Sequence, residues 1–218
     1  MGPISLFHHT NIFIHVVAGS LALLVGLFIL LKNKGGKIHR VSGRVFLVLL
    51  SIVIFTGLIG VFAFNRNSFL LVITTLSGYM GFSGFRAIRN RSNIPKIMDI
   101  GVALLALTTS LFFIWYFHST GMIWSPVIIY STVSYLIFAV AYDLGRYLIN
   151  KNTYQKLWMY EHILKLISAF SGLLSAVTGT VFPQFQPYSQ FLPSLLGSFI
   201  ALGFMFQLWT KNREVSIK

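Results

Sequence analysis

The stretch Lys32-Asn33-Lys34-Gly35-Gly36-Lys37-Ile38-His39-Arg40-Val41-Ser42-Gly43-Arg44 separates two long apolar runs and holds five of the chain's seventeen basic residues. Residues 11–31 precede it and 44–64 follow it, each almost without charge. A bilayer-spanning helix needs about 20 mostly apolar residues. Two such runs joined by a short basic connection read as two spans and a loop on the cytoplasmic side.

The same pattern continues along the chain. Further candidate spans lie near 68–88, 97–118, 125–147, 157–182 and 190–210, which makes seven in a single domain of 218 residues. Basic residues recur at Arg86–Lys96, at Arg146–Lys156 and in the tail at Lys211, Arg213 and Lys218. Together with the first stretch these hold fifteen Lys and Arg; the alternate connections hold only Arg66, and Lys165 lies within the sixth run. This asymmetry predicts an all-α integral membrane bundle with the N-terminus outside and the C-terminus cytoplasmic. The first ten residues contain no Lys or Arg, so the first run reads as a retained helix rather than a cleaved signal.

Composition agrees. Hydrophobic residues make up 56% and charged residues 10%, with mean hydropathy +0.77. Soluble domains carry about 25% charged residues, so lipid is the expected partner of this surface. The net charge of +13 does not argue for nucleic acid, because the cations sit in short breaks between apolar runs. The chain has no cysteine, which excludes disulfides, thiolate zinc sites, iron–sulfur clusters and a cysteine nucleophile. Trp115, Tyr116 and Trp124 fit an aromatic belt at the outer interface. Pro183, Pro187 and Pro193 mark the outer connection before the seventh span.

Ionisable residues within spans are the default candidates for function. Here they form two layers. The outer layer has His8, His9, His15 and His118. The inner layer has His39 and His162, with Asp99, Asp143, Glu161 and Lys165 at a similar level. Three readings follow. Two histidines per face on separate helices, His15 with His118 and His39 with His162, would ligate two b-type haems and carry electrons across the membrane to a redox partner or quinone. Gly19 and Gly43 follow His15 and His39 by four residues, on the same helix face, where a porphyrin edge needs space. A non-haem metal such as zinc would need three His or carboxylate ligands and an open position, as in a membrane hydrolase. The third reading is polar rather than metallic: Asp99, Asp143, Glu161 and Lys165 would form a polar cluster in which charges only neutralise one another, or Asp143, Glu161, His162 and Lys165 would line a polar path or hold a substrate. Trp158, Glu161, His162 and Lys165 share one helix face, so Glu161 can pair with Lys165, and Asp143 with Arg146 or Tyr142. His8 and His9 read as solvated. Small residues, Ala18, Gly19, Ala22 and Gly26 in the first span and Ser168, Gly172, Ser175, Ala176 and Gly179 in the sixth, fit close helix packing.

His15-x-x-x-Gly19, Leu21-Ala22-Leu23, Gly26 and Lys34-Gly35-x-x-Ile38-His39-Arg40-x-x-Gly43-Arg44 resemble a bacterial family of multi-pass membrane proteins catalogued as domain of unknown function 2306. Glu161-His162, and Pro193 with Gly197, extend the resemblance over most of the chain. Where that pattern has a methionine after the histidine, this chain has Lys165-Leu166. The resemblance implies a bacterial cytoplasmic membrane but no reaction. The histidine layout is similar in style to transmembrane b-type di-haem cytochromes.

Overall fold

The computed structural model describes residues 3–64, 69–120 and 125–217. Within them the chain forms seven α-helices: α1 (Pro3–Leu31), α2 (Lys37–Phe64), α3 (Phe69–Arg89), α4 (Ile97–Thr120), α5 (Pro126–Gly145), α6 (Lys151–Val181) and α7 (Tyr188–Ile217). Two 3-10 turns, Arg146–Leu148 and Pro183–Phe185, join α5 to α6 and α6 to α7. Arg66 and Trp124 lie outside the described residues, as do the side chains of Arg213, Glu214 and Lys218.

Among the described residues, six helices are long and apolar enough to cross a membrane: α1, α2, α4, α5, α6 and α7. The other, α3, is 21 residues long and closes with Arg86 and Arg89 in its last turn. It is also central. It packs on α2, α4, α5 and α6, while α6 packs on α1, α3 and α7. The core follows from this arrangement, with Leu50, Met80, Leu136, Val140 and Ala169 buried between helices. The outside is strongly apolar: Phe13, Phe62, Phe138 and Phe199 are all well exposed. An apolar surface of this extent is the kind that lipid or a partner covers.

The stretch Lys32–Arg44 is only in part a loop. Lys37 to Arg44 form the first two turns of α2, and the turn itself is residues 32–36. Two features shorten it. Gly35 takes φ 81°, a left-handed conformation natural to glycine at a helix end. The Lys34 ammonium then bonds the carbonyls of Ile29 at 2.8 Å and Leu30 at 2.7 Å, which α1 would otherwise leave open. At the start of α6, Asn150 accepts the amide of Asn152 at 3.0 Å and begins the helix at residue 151, six residues earlier than hydropathy alone indicates.

Pro193 lies inside α7 rather than in the preceding connection. A proline there removes the amide that would bond the carbonyl four residues back, at Ser189. The Thr178 hydroxyl of α6 takes that carbonyl instead. A side chain from the neighbouring helix thus satisfies what the proline frees.

The basic segments meet at one end of the bundle. Lys34 lies 4.4 Å above the Phe204 ring of α7, and Arg91 lies 4.1 Å above the Trp158 ring of α6. Asn93 donates to the Arg146 carbonyl at 2.7 Å and the Ile149 carbonyl at 3.2 Å. The α3–α4 connection is therefore locked onto the α5–α6 junction.

Candidate functional site

Just inside this basic end, four charged side chains are enclosed by α3, α5 and α6. Relative exposure is 6% for Asp143, 3% for Arg146, 5% for Glu161 and 3% for Lys165. Lys165 bridges the two carboxylates, bonding Asp143 Oδ1 and reaching Glu161 Oε2 at 3.0 Å. Arg146 bonds Glu161 Oε2 at 2.8 Å and holds its Nε 3.7 Å from Asp143. The formal charges cancel.

Neutral donors complete the cluster. Asp143 Oδ2 accepts the Tyr79 hydroxyl at 2.7 Å and the Ser83 hydroxyl. Glu161 accepts the Tyr142 hydroxyl at 2.8 Å and the Tyr154 hydroxyl at 3.2 Å. Tyr154 itself receives a bond from Arg146. Helical geometry explains the set. Glu161 and Lys165 are four residues apart on α6, and Tyr79 and Ser83 are four apart on α3, so each pair presents one face. An isolated ion in an apolar bundle would be very costly; pairing and hydrogen bonding make its burial tolerable.

Asp99 belongs to a second, adjoining pair. Its carboxylate takes Arg86 in a two-point contact, through Nε and through Nη2 at 2.9 Å, with Asn90 at 3.3 Å. Of the four acidic and basic residues expected at the inner level, the structure joins Asp143, Glu161 and Lys165 directly and holds Asp99 one layer away.

The histidines are arranged differently. His15 Nδ1 lies 2.8 Å from Thr56 Oγ1. That hydroxyl donates to the Ile52 carbonyl at 2.7 Å, so it accepts from the imidazole. His118 is exposed near the end of α4. The main neighbours of α1 are α2 and α6, and those of α4 are α3 and α5; the packing gives His15 and His118 no evident common interface. His162 Nδ1 bonds the Gly84 carbonyl at 3.0 Å. His39 Nδ1 is buried without a hydrogen-bond partner. His8 is not simply solvated: it is half-buried, with its ring 4.3 Å from that of Phe64. His9 is exposed. Among the described residues, no three or more His, Asp or Glu side chains form a group suited to a metal ion, so the three-ligand zinc arrangement has no such set there.

Arg86 and Arg146 count as loop cations in a hydropathy reading, yet both are buried. The i, i+3 spacing of Asp143 and Arg146 is the sequence signal for one. No comparable spacing announces Arg86, whose partner lies thirteen residues on, across the connection. Compared with protein-family models, with curated proteins and with solved structures, the chain has no match.

Proposed function

We propose that this protein is an integral membrane carrier that takes its solute or coupling ion at the Asp143–Arg146–Glu161–Lys165 cluster. All seven helices, α3 included, would cross a bacterial cytoplasmic membrane, with the basic end in the cytoplasm and the N-terminus outside. The excess of Lys and Arg at one end supports that orientation.

The observation that carries the reading is the charge-balanced cluster of mutually bonded side chains inside the bundle. Stability alone is a poor reason to keep it, because well-packed apolar residues in place of a buried ion network are often neutral or stabilising by about 1–4 kcal/mol. Intramembrane charges instead mark substrate and ion paths by default. The chemistry suits coupling. Lys165 holds α5 to α6 through one ammonium shared by two carboxylates. A proton or a charged solute group that neutralises one carboxylate leaves a surplus cation and loosens that tie. Binding thereby changes how α3, α5 and α6 are held together.

In proteoliposomes under an imposed pH gradient, a panel of small ionic solutes should include one taken up by the wild type. Glu161→Gln should lower that uptake at least tenfold. Equal uptake by the variant, or no uptake of any solute, counts against the carrier.

A second reading, electron carriage through b-type haem, is favoured by one observation at the inner pair. The Nδ1–carbonyl bond of His162 leaves Nε2 for a ligand, the usual orientation of a metal-bound imidazole, and the Nδ1 of His39 lacks a protein partner. His39 and His162 would hold one haem, which would supply one-electron chemistry; His15 and His118 stand on helices whose main neighbours differ. Protein purified after haem supply should then show a dithionite-reduced α-band that His162→Ala removes. A spectrum without that band sinks this reading.

A further inference from the structure

Between the two ion pairs lies a small cavity of about 10 Å³, lined by Tyr79, Ser83, Arg86, Asp99, Asp143 and Arg146, with Ala103 on its α4 wall. That is room for roughly one water molecule, which needs two to four polar partners. The wall offers them. The Nε of Arg146, a side chain almost wholly buried, makes no hydrogen bond within the protein. Orphaned buried donors are rare and are commonly satisfied by ordered water. The residue that carries the unpaired donor, Arg146, thus also lines a water-sized cavity.

Resting on the carrier reading, we propose that the coupling ion is the proton, and that one bound water in this cavity relays it between Asp99 and Asp143. Asp99 is the entry group. It stands in the first turn of α4, its amide bonded to the Lys96 carbonyl at 2.9 Å, beside the exposed residues of the basic end. Asp143 is the receiving group, tied to the cluster through Lys165. In the step, the O–H bond of protonated Asp99 breaks as its proton goes to the water oxygen. The water gives one of its own protons to a carboxylate oxygen of Asp143. Water is regenerated, Asp99 ends as carboxylate and Asp143 as neutral acid. Charge moves inward by one unit with no other reactant.

The groups facing this path come from every adjoining element: Tyr79, Ser83 and Arg86 on α3, Asp99 on α4, Asp143 on α5, Arg146 and Tyr147 in the 3-10 turn, and Lys165 with its partner Glu161 on α6. Arg86 and Arg146 flank the water and disfavour a lasting extra positive charge there. The proton therefore passes through the cavity instead of resting in it.

The test fills the cavity from Ala103. Ala103→Val adds two methyl groups where the water would sit, and Ala103→Ser adds a hydroxyl. Reconstituted protein is taken from pH 8 to pH 4 and its infrared difference spectrum recorded, with Asp143→Asn identifying the Asp143 carboxyl band. The buffer is then exchanged for heavy water at the same acidity. The wild type and Ala103→Ser should shift the carboxyl band to its deuterated position within mixing, and Ala103→Val at least tenfold more slowly. Exchange in Ala103→Val as fast as in the wild type overturns the relay, as does the absence of any band that Asp143→Asn removes. Thermal unfolding separates the relay from a merely dry cavity. Filling a dry cavity leaves exchange unchanged and holds or raises stability. Filling a hydrated one slows exchange and leaves Arg146 Nε without its partner. The carrier reading fails separately, through Glu161-independent uptake.

Discussion

Lys165→Met will destabilise the folded protein by about 3–5 kcal/mol at pH 8, the range for removing one partner from a buried ion pair. Methionine approximates the length of the lysine stem, so little packing is lost. What is lost is the ammonium that bonds Asp143 and Glu161 together. Arg146 remains as the sole cation against two carboxylates, and an uncompensated charge stays in the bundle. Taking up a proton on one carboxylate relieves that charge more cheaply than leaving it buried. The folded variant then binds a proton that the unfolded chain does not hold at neutral pH, so its stability rises as pH falls. The deficit should therefore be smaller at pH 5 than at pH 8. Adding Asp143→Asn to Lys165→Met restores one anion to one cation and should recover most of the loss. Thermal unfolding in detergent at both pH values, arranged as a double-mutant cycle, measures this coupling. A Lys165→Met protein as stable as the wild type at pH 8 would show that the network carries no interdependence.

The lysine is also instructive about what a sequence discloses. Its pairing with Glu161 is legible, because a four-residue spacing on a helix is local and an apolar bundle leaves few alternatives. The basic end is legible for the same reason, since charge excluded from the apolar runs has to collect in the connections. The bond from Lys165 to Asp143 joins α6 to α5 over 22 residues and depends on helix packing, which hydropathy does not encode. Arg146 and Arg86 show the limit more clearly. Each stands at the edge of an apolar run, where composition assigns it to water, yet each turns inward because a carboxylate on a neighbouring element receives it. Two tyrosines are invisible for another reason. In an apolar run a tyrosine reads as interface or core, and only contact shows that Tyr79 and Tyr154 donate to carboxylates; Tyr142, expected beside Asp143, donates to Glu161 instead. The histidines show the same dependence on packing: two within or beside the spans near each face invite pairing, but His15 and His118 stand on helices whose main neighbours differ.

Gly84→Ala will cost about 1–3 kcal/mol, the usual range for overpacking a tight contact, and will depress uptake as well. At Gly84 α3 packs tightly against α6. A methyl group there would overlap the Leu166 side chain and stand 2.9 Å from Lys165 Cβ and 3.3 Å from the Leu166 amide nitrogen. A side-chain tip can move aside, but a Cβ and a backbone nitrogen cannot unless the helix moves. The two helices must therefore part by some tenths of an ångström. The separation acts directly on the cluster. Ser83 is the preceding residue and Tyr79 lies five back, and both donate to Asp143, while the Gly84 carbonyl holds His162. Leu166→Ala in the same chain removes only the side-chain overlap, so it should recover part of the stability and not all. Gly101→Ala on α4 supplies the contrast. No atom lies within 4 Å of a methyl group there, and replacing an open helical glycine by alanine should stabilise by about 0.5–1 kcal/mol. Opposite signs at the two glycines, read by thermal unfolding, would attribute the Gly84 effect to the α3–α6 contact rather than to helix propensity. A stabilising Gly84→Ala would mean that the two helices have slack at this crossing, and that the cluster beside it is less tightly held than its bonds indicate.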